Sequence, residues 1–200
     1  MNQLRTVFNG VLIWISLLVV VAVAIGAAAM SPLLAWRDPV YITAGFAGVI
    51  AMSLMAFQAM LAAGYLPGLA GLRGRRAHRW VGSVLVLSVI IHVAGLWITS
   101  PPDVIDALLF VSPTPFSVWG VIAMWALFAT ACLAALRLRL RLRPITWRLI
   151  HGALAVVIVS GSVVHAMMID GTMESLSKLL LCAVVVVATV VVLAGLQLRK

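Results

Sequence analysis

Acidic side chains are scarce in this sequence: five Asp and Glu stand against fourteen Lys and Arg in 200 residues, and charged residues of both signs make up only 10%. A water-soluble domain of this size needs far more charge on its surface, so a soluble globule is excluded. Cysteine is nearly absent as well. Cys132 and Cys182 both fall inside apolar stretches, where they read as small core residues. No Cys-x-x-Cys-His occurs and no cysteine cluster exists, which excludes thioether attachment of a haem, an iron–sulfur centre and a structural zinc site. A glycine-rich strand-turn-helix fingerprint for flavin or nicotinamide is missing too, and no polar stretch is long enough to contain one.

What fills the chain instead is apolar: 64% hydrophobic residues and a mean hydropathy of +1.21. These values belong to an all-α integral membrane protein. Runs long enough to cross a hydrocarbon core of about 30 Å lie near residues 8–30, 40–66, 79–99, 116–136, 149–168 and 176–196. They predict a six-transmembrane-helix bundle, a single domain over 1–200 without an FAD or NAD(P)H domain. The first run, with Arg5 before it and Ala27-Ala28-Ala29 near its end, has some features of a signal peptide, but its core of roughly twenty residues favours a retained helix.

Charge orients the bundle. With the N-terminus inside, all but Arg37 and Lys178 of the fourteen basic residues fall on the cytoplasmic side: Arg5, Arg73, Arg75, Arg76, Arg79, Arg137, Arg139, Arg141, Arg143, Arg148, Arg199 and Lys200. The bias of Lys and Arg toward short inner loops therefore predicts cytoplasmic N- and C-termini in a cell inner (plasma) membrane. All five acids (Asp38, Asp103, Asp106, Asp170 and Glu174) fall in outer loops. The net charge of +9 needs no nucleic acid to explain it, because basic loops beside membrane helices set topology and meet anionic lipid in the bilayer.

Four histidines are present, and they fall as two pairs with one spacing: His78 and His92, then His151 and His165, each pair fourteen residues apart. On an α-helix fourteen residues advance about 21 Å and rotate to within about 40° of four full turns, so each pair shares one helix face at two depths. Ionisable side chains inside a bilayer mark functional sites, and neutral imidazole is a preferred axial ligand for iron. His78 and His92 are too far apart to bind one iron, since axial nitrogens on opposite sides of a metal lie only about 4 Å apart. The ligands of each iron must come from different helices. The third and fifth helices run in the same direction, which sets His78 level with His151 and His92 level with His165. Two haems follow: an inner one on His78 and His151, and an outer one on His92 and His165. With no cysteine attachment they are two b haems. Zinc is a weaker reading, because no carboxylate lies at membrane depth to complete either site. A haem-free membrane scaffold with structural histidines is the remaining alternative.

Residues near the ligands fit this picture. Four positions from each histidine, toward the membrane centre, stand Gly82, Ser88, Ala155 and Gly161, all small enough to leave room for a porphyrin, although small residues also serve ordinary helix packing. Arg79 and Arg148 adjoin the inner ligands and are candidates for haem propionates, as is Arg37 on the outer side. Trp80, Trp97, Trp119, Trp125, Phe116 and Phe128 are candidates to line the haems. The Arg137 to Arg143 run offers positive charge to an acidic partner face or to lipid. The loop from Ser100 to Thr114, with Asp103, Asp106 and the apolar Ala107-Leu108-Leu109-Phe110, is placed to cover the outer haem.

His78-Arg79-Trp80-Val81-Gly82 continuing to His92, then Pro115-Phe116-Ser117-Val118-Trp119-Gly120, then Trp147-Arg148-x-x-His151 continuing to His165, resembles the ferric reductase-like transmembrane domain over about residues 40–196. That family includes ferric reductases and the membrane part of NADPH oxidases. The resemblance implies a six-helix bundle enclosing two stacked b haems, with His78 and His151 on the cytoplasmic haem and His92 and His165 on the outer one. Many relatives continue into a cytoplasmic FAD and NAD(P)H domain, whereas this sequence stops at Lys200. The expected electron donor is accordingly a separate cytosolic flavoprotein reductase or a quinol, and the product side is an outer-side electron acceptor. Short relatives serving as haem subunits of periplasmic methionine sulfoxide reductases, or a quinol-linked cytochrome b, are the alternatives implied by the same resemblance.

Overall fold

The computed structural model describes residues 2–197; Arg199 and Lys200, assigned above to the inner side, lie outside the described residues. The elements in chain order are α1 (Asn2–Ala29), a 3-10 turn (Pro32–Leu34), α2 (Pro39–Ala63), α3 (Gly71–Thr99), α4 (Pro101–Leu108), α5 (Pro115–Leu136), α6 (Pro144–Met168) and α7 (Ser175–Gln197). Six of these helices, all but α4, are long and apolar enough to cross a membrane, and no strand occurs among the described residues. In hydrocarbon every backbone N–H and C=O must be paired within the protein, which a helix does internally.

Proline sets the starts. Pro39, Pro101, Pro115 and Pro144 each occupy the first turn of a helix, where the missing N–H costs nothing and φ is already helical. Asp38 caps α2 by accepting from the Val40 N–H at 2.7 Å. The same helix ends at Gly64, whose φ of 71° and N–H bonds to the carbonyls of Leu61 and Met60 close it. It therefore stops at Ala63, short of the expected residue 66.

Three helices begin at least five residues before their apolar runs, the first at Asn2 rather than at 8. The third starts at Gly71 rather than at 79, and the sixth at Pro144 rather than at 149. Hydropathy marks only the part of a helix that sits in hydrocarbon, whereas Arg73, Arg75, Arg76 and Arg148 extend the same helices beyond it. His78 and His151 consequently lie two turns inside their helices. The Ser100 to Thr114 segment contains α4, with the Ser100 hydroxyl on Asp103 at 2.6 Å in its first turn.

The bundle is organised around α2, which packs chiefly on α3 and α7, while α5 packs on α6 and α7 closes the gap between α6 and α2. Of the most apolar stretch of α2, 44% is buried, against 11% for both α3 and α6. The two histidine helices thus sit toward the periphery, each backed by another helix. The core joins Val49, Met52 and Met55 of α2 to Leu85, Leu127, Ile158, Leu181 and Val185. Lipid-facing apolar side chains such as Leu18, Leu87, Ile91 and Val187 remain exposed, as a bilayer-solvated exterior requires.

Candidate functional site

The four histidines meet as two pairs. The imidazole centres of His78 and His151 are 6.1 Å apart with ring planes at 64°, and those of His92 and His165 are 6.4 Å apart at 82°. Two imidazoles bonded to one metal along a common axis have centres about 6 Å apart, from a metal–nitrogen bond near 2 Å and roughly 1 Å from nitrogen to ring centre on each side. Both pairs match that separation. Among the described residues no group of three or more His, Cys, Asp or Glu converges, so neither pair completes a tetrahedral zinc site from side chains. Two imidazoles at this separation suit a metal whose other positions are filled by a planar macrocycle.

In the His92–His165 pair the ring orientation is held by backbone. Nδ1 of His92 lies 2.8 Å from the carbonyl oxygen of Ala44 on α2, and Nδ1 of His165 lies 2.9 Å from that of Phe116 on α5. A carbonyl only accepts, so each ring donates from Nδ1 and keeps the Nε2 lone pair free for a metal. Access to these carbonyls depends on two glycines. In a helix Cβ leans toward the N-terminus, over the preceding turn, so the residue four positions after a carbonyl shields it. Those residues are Gly48 after Ala44 and Gly120 after Phe116. A Cβ at Gly48 would stand 3.1 Å from Nδ1 of His92, and one at Gly120 would stand 2.7 Å from Nδ1 of His165. The same device serves both rings, and the edge of His165 also meets the Phe116 ring at 5.8 Å.

The His78–His151 pair is held differently. Trp147, one turn before His151, stacks on it with centres 5.0 Å apart and planes at 27°, and the Arg137 guanidinium lies 5.1 Å from the Trp147 ring centre. Among the described residues Nδ1 of His78, Nδ1 of His151 and Oε1 of Gln58 are buried without a hydrogen-bond partner. Three such atoms together are expensive, at about 1–3 kcal/mol each, and mark a polar site rather than plain packing.

A cavity of about 630 Å³ opens around His92 and His165, within the usual size range of small-molecule and cofactor sites. Met52, Met55, Leu85, Leu127 and Ile158 form its apolar floor, while Arg37, Tyr41 and Lys178 supply polar atoms. Asp103, Val104, Ala107 and Leu108 of α4, from the segment expected to cover the outer site, also line it.

Other residues singled out in the sequence have different neighbours. Gly82 is a contact between α3 and α2, its Cβ position 2.6 Å from the Gln58 amide nitrogen. Gly161 is a contact between α6 and α5, its Cβ position 2.9 Å from the carbonyl oxygen of Trp119 and 3.1 Å from Cβ of Ala123. Ser88 is buried and donates to the Val84 carbonyl of its own helix at 2.9 Å, and Ala155 is half-buried. Arg148 is exposed, and Arg79 shares an exposed cleft with Arg76, Trp80 and Ser83. Of the six aromatics expected at the haems, Phe116 lines the large cavity, while Trp80, Trp97, Trp119 and Trp125 are exposed. Trp80, Trp97 and Trp119 stand toward helix ends, where an interfacial position accounts for such exposure, whereas Trp125 lies midway along α5 on its outer face. Sequence reasoning gave no site role to Gly48, Ala44 or Lys178. Gly120 and Trp147 carried a signal only as members of the Pro115 to Gly120 and Trp147 to His151 motifs.

Gly161→Leu should destabilise the bundle by about 1–3 kcal/mol, because the added side chain meets backbone that a rotamer change cannot clear. Gly82→Leu should cost less, since it meets the end of a flexible glutamine. Thermal unfolding in detergent checks the order, and a Gly161→Leu protein melting with wild type would show that the α5–α6 approach is looser than described.

A family model described as "Ferric reductase like transmembrane component" matches residues 47–162, a span that contains His78, His92 and His151 and ends three residues before His165. No curated protein and no solved structure matches the chain.

Proposed function

The chain belongs to the ferric reductase-like transmembrane family and is a membrane electron-transfer component, and we propose that it is a di-haem b-type protein passing single electrons from the cytoplasmic side to an acceptor on the outer side. The observation that carries the reading is the pair geometry: two imidazole pairs, each at a separation suited to one iron, on helices that place them about 21 Å apart along the bundle. His78 and His151 would hold the inner haem, His92 and His165 the outer one. When bound, each haem would supply a one-electron carrier, held by one imidazole from each of two helices.

The protein's own residues do the rest. The carbonyls of Ala44 and Phe116 keep Nδ1 protonated and Nε2 directed away from them. Trp147 fixes the plane of His151. Met52, Met55, Leu85, Leu127 and Ile158 give the outer pair an apolar surround, which lowers the local polarity at that centre. Arg79 and Arg148 stand at the basic end as partners for propionates of the inner haem. These 200 residues hold no flavin or nicotinamide fingerprint, which supports a donor outside these helices, a cytosolic flavoprotein reductase or a quinol. The bias of Lys and Arg toward the Arg73 to Arg79 and Arg137 to Arg148 end supports cytoplasmic termini in the plasma membrane. Outward transfer of an electron then runs with a potential negative inside, worth about 2.3 kcal/mol per 100 mV for a full crossing.

Pyridine haemochrome analysis of detergent-purified protein should return two haems b per chain; a value near zero would leave a haem-free scaffold. In vesicles holding the protein in one orientation, reductant on the basic-loop side should reduce an impermeant acceptor on the acidic-loop side. Reduction only when the reductant is on the acidic-loop side would reverse the direction and favour an outward-facing quinol site.

A further inference from the structure

Lys178 stands in the first turns of α7 with 7% of its surface exposed. Three features of this position are unfavourable for an ammonium. It is buried, which costs several kcal/mol unless the charge is compensated. It lies near the N-terminus of a helix, where the backbone dipole repels positive charge. Among the described residues its ammonium donates to a neutral group, the carbonyl oxygen of Ile169 at 2.7 Å, and no carboxylate forms an ion pair with it. The acid that lines the same cavity, Asp103, accepts from the Ser100 hydroxyl.

The side chain nevertheless lines the large cavity together with His92 and His165. Its hydrogen-bond partner Ile169 caps the C-terminus of α6, and the Ile169 N–H returns to the carbonyl of His165, one turn before. Lys178 is thereby tied to the helix that carries a ligand of the outer pair. Arg37, the other basic residue on the cavity, is exposed at the rim and lies over Tyr41 at 4.9 Å. A buried cation facing a cavity, unpaired with any acid among the described residues and bonded to a carbonyl one turn beyond His165, calls for an anionic ligand group.

We propose that Lys178 is the buried charge partner of the outer haem carboxylates and a positioning residue that raises the reduction potential of that centre. The inference rests on the two-haem reading above. Adding an electron adds negative charge, which a nearby fixed cation stabilises in a medium that screens poorly, so the lysine favours the reduced state. The inner pair, about 21 Å away along the helices, lies beyond most of this effect.

The test is a spectroscopic redox titration of purified holoprotein carrying Lys178→Met, Lys178→Gln or Lys178→Arg, with the outer centre identified as the one lost in His92→Ala. Gln removes the charge and keeps a donor for the Ile169 carbonyl; Arg keeps the charge. In the Met and Gln proteins the outer centre should be at least tenfold harder to reduce, a fall of about 59 mV for one electron, with the inner centre unmoved. The Arg protein should titrate near wild type. A Met variant that does not assemble leaves Gln to decide. Two-haem Gln protein with wild-type potentials would overturn the proposal and reduce Lys178 to a tether for Ile169, leaving the proposed function intact. An equal fall in Gln and Arg proteins would overturn it as well. Wild-type protein without haem would remove both readings.

Discussion

His92→Ala and His165→Ala proteins are each expected to retain one haem per chain in place of two, and to lack the same spectral and redox component. His78→Ala and His151→Ala should each lose the other component. The grouping follows from the facing rings, 6.4 Å apart in one pair and 6.1 Å in the other, because an iron deprived of one axial nitrogen keeps only a single protein ligand. The two histidines of one helix, fourteen residues apart, should therefore behave as members of different sites, and the double variant His78→Ala/His92→Ala should be empty. Haem stoichiometry together with a dithionite difference spectrum for each variant makes the measurement. If His92→Ala and His78→Ala removed one and the same component, the assignment of ligands to levels would be wrong.

The second large effect is expected from glycines that touch no metal. In Gly120→Ala the added methyl carbon would lie 2.7 Å from Nδ1 of His165, too close for the ring to keep its bond to the Phe116 carbonyl. Loss of an outer hydrogen bond to a metal-bound histidine typically weakens metal binding about 10- to 100-fold, and Gly120→Ala should weaken haem retention by that factor at the His92–His165 centre alone. Gly48→Ala should act in the same direction but less, since its Cβ position is 3.1 Å from Nδ1 of His92 and a small ring shift relieves it. Haem loss to an excess of an apoprotein acceptor, followed at the wavelengths of each centre, distinguishes the two. Unchanged retention in the Gly120→Ala protein would mean that His165 does not need the Phe116 carbonyl.

These two expectations draw on different layers of information. The histidine grouping is readable from one dimension. Along a regular helix, residue spacing translates directly into depth and angle, so a fourteen-residue repeat on two helices of one direction already sorts four side chains into two levels. The six membrane-crossing helices were readable for a similar reason: an apolar run of about twenty residues has one stable place, and its length is set by the bilayer. Helix starts at Pro39, Pro115 and Pro144 and the stop at Gly64 are local too. Where helices outrun the hydrocarbon, at Gly71 to Arg79 and Pro144 to Arg148, hydropathy gives no signal, and the earlier starts emerge only from the backbone.

Spacing does not say what stands opposite a helix face. The carbonyl partners of His92 and His165 come from 48 and 49 residues away in sequence, and their availability depends on the absence of a side chain at Gly48 and Gly120. Gly82 and Gly161, chosen for their place on the histidine helices, are occupied by Gln58 of α2 and by the backbone of α5, because rotation about each helix axis is decided by its neighbours. Lys178 looked like an ordinary outer-loop cation until α7 closed against α2 and α6 and placed it in the cavity wall. Sequence by itself determined the medium, the crossings and the levels of the four imidazoles, since each is set by properties local to one helix. Tertiary packing alone decided which backbone oxygens orient the rings, which glycines admit them and which cation is buried beside them, because each of those is a relation between helices whose order in space no local period encodes.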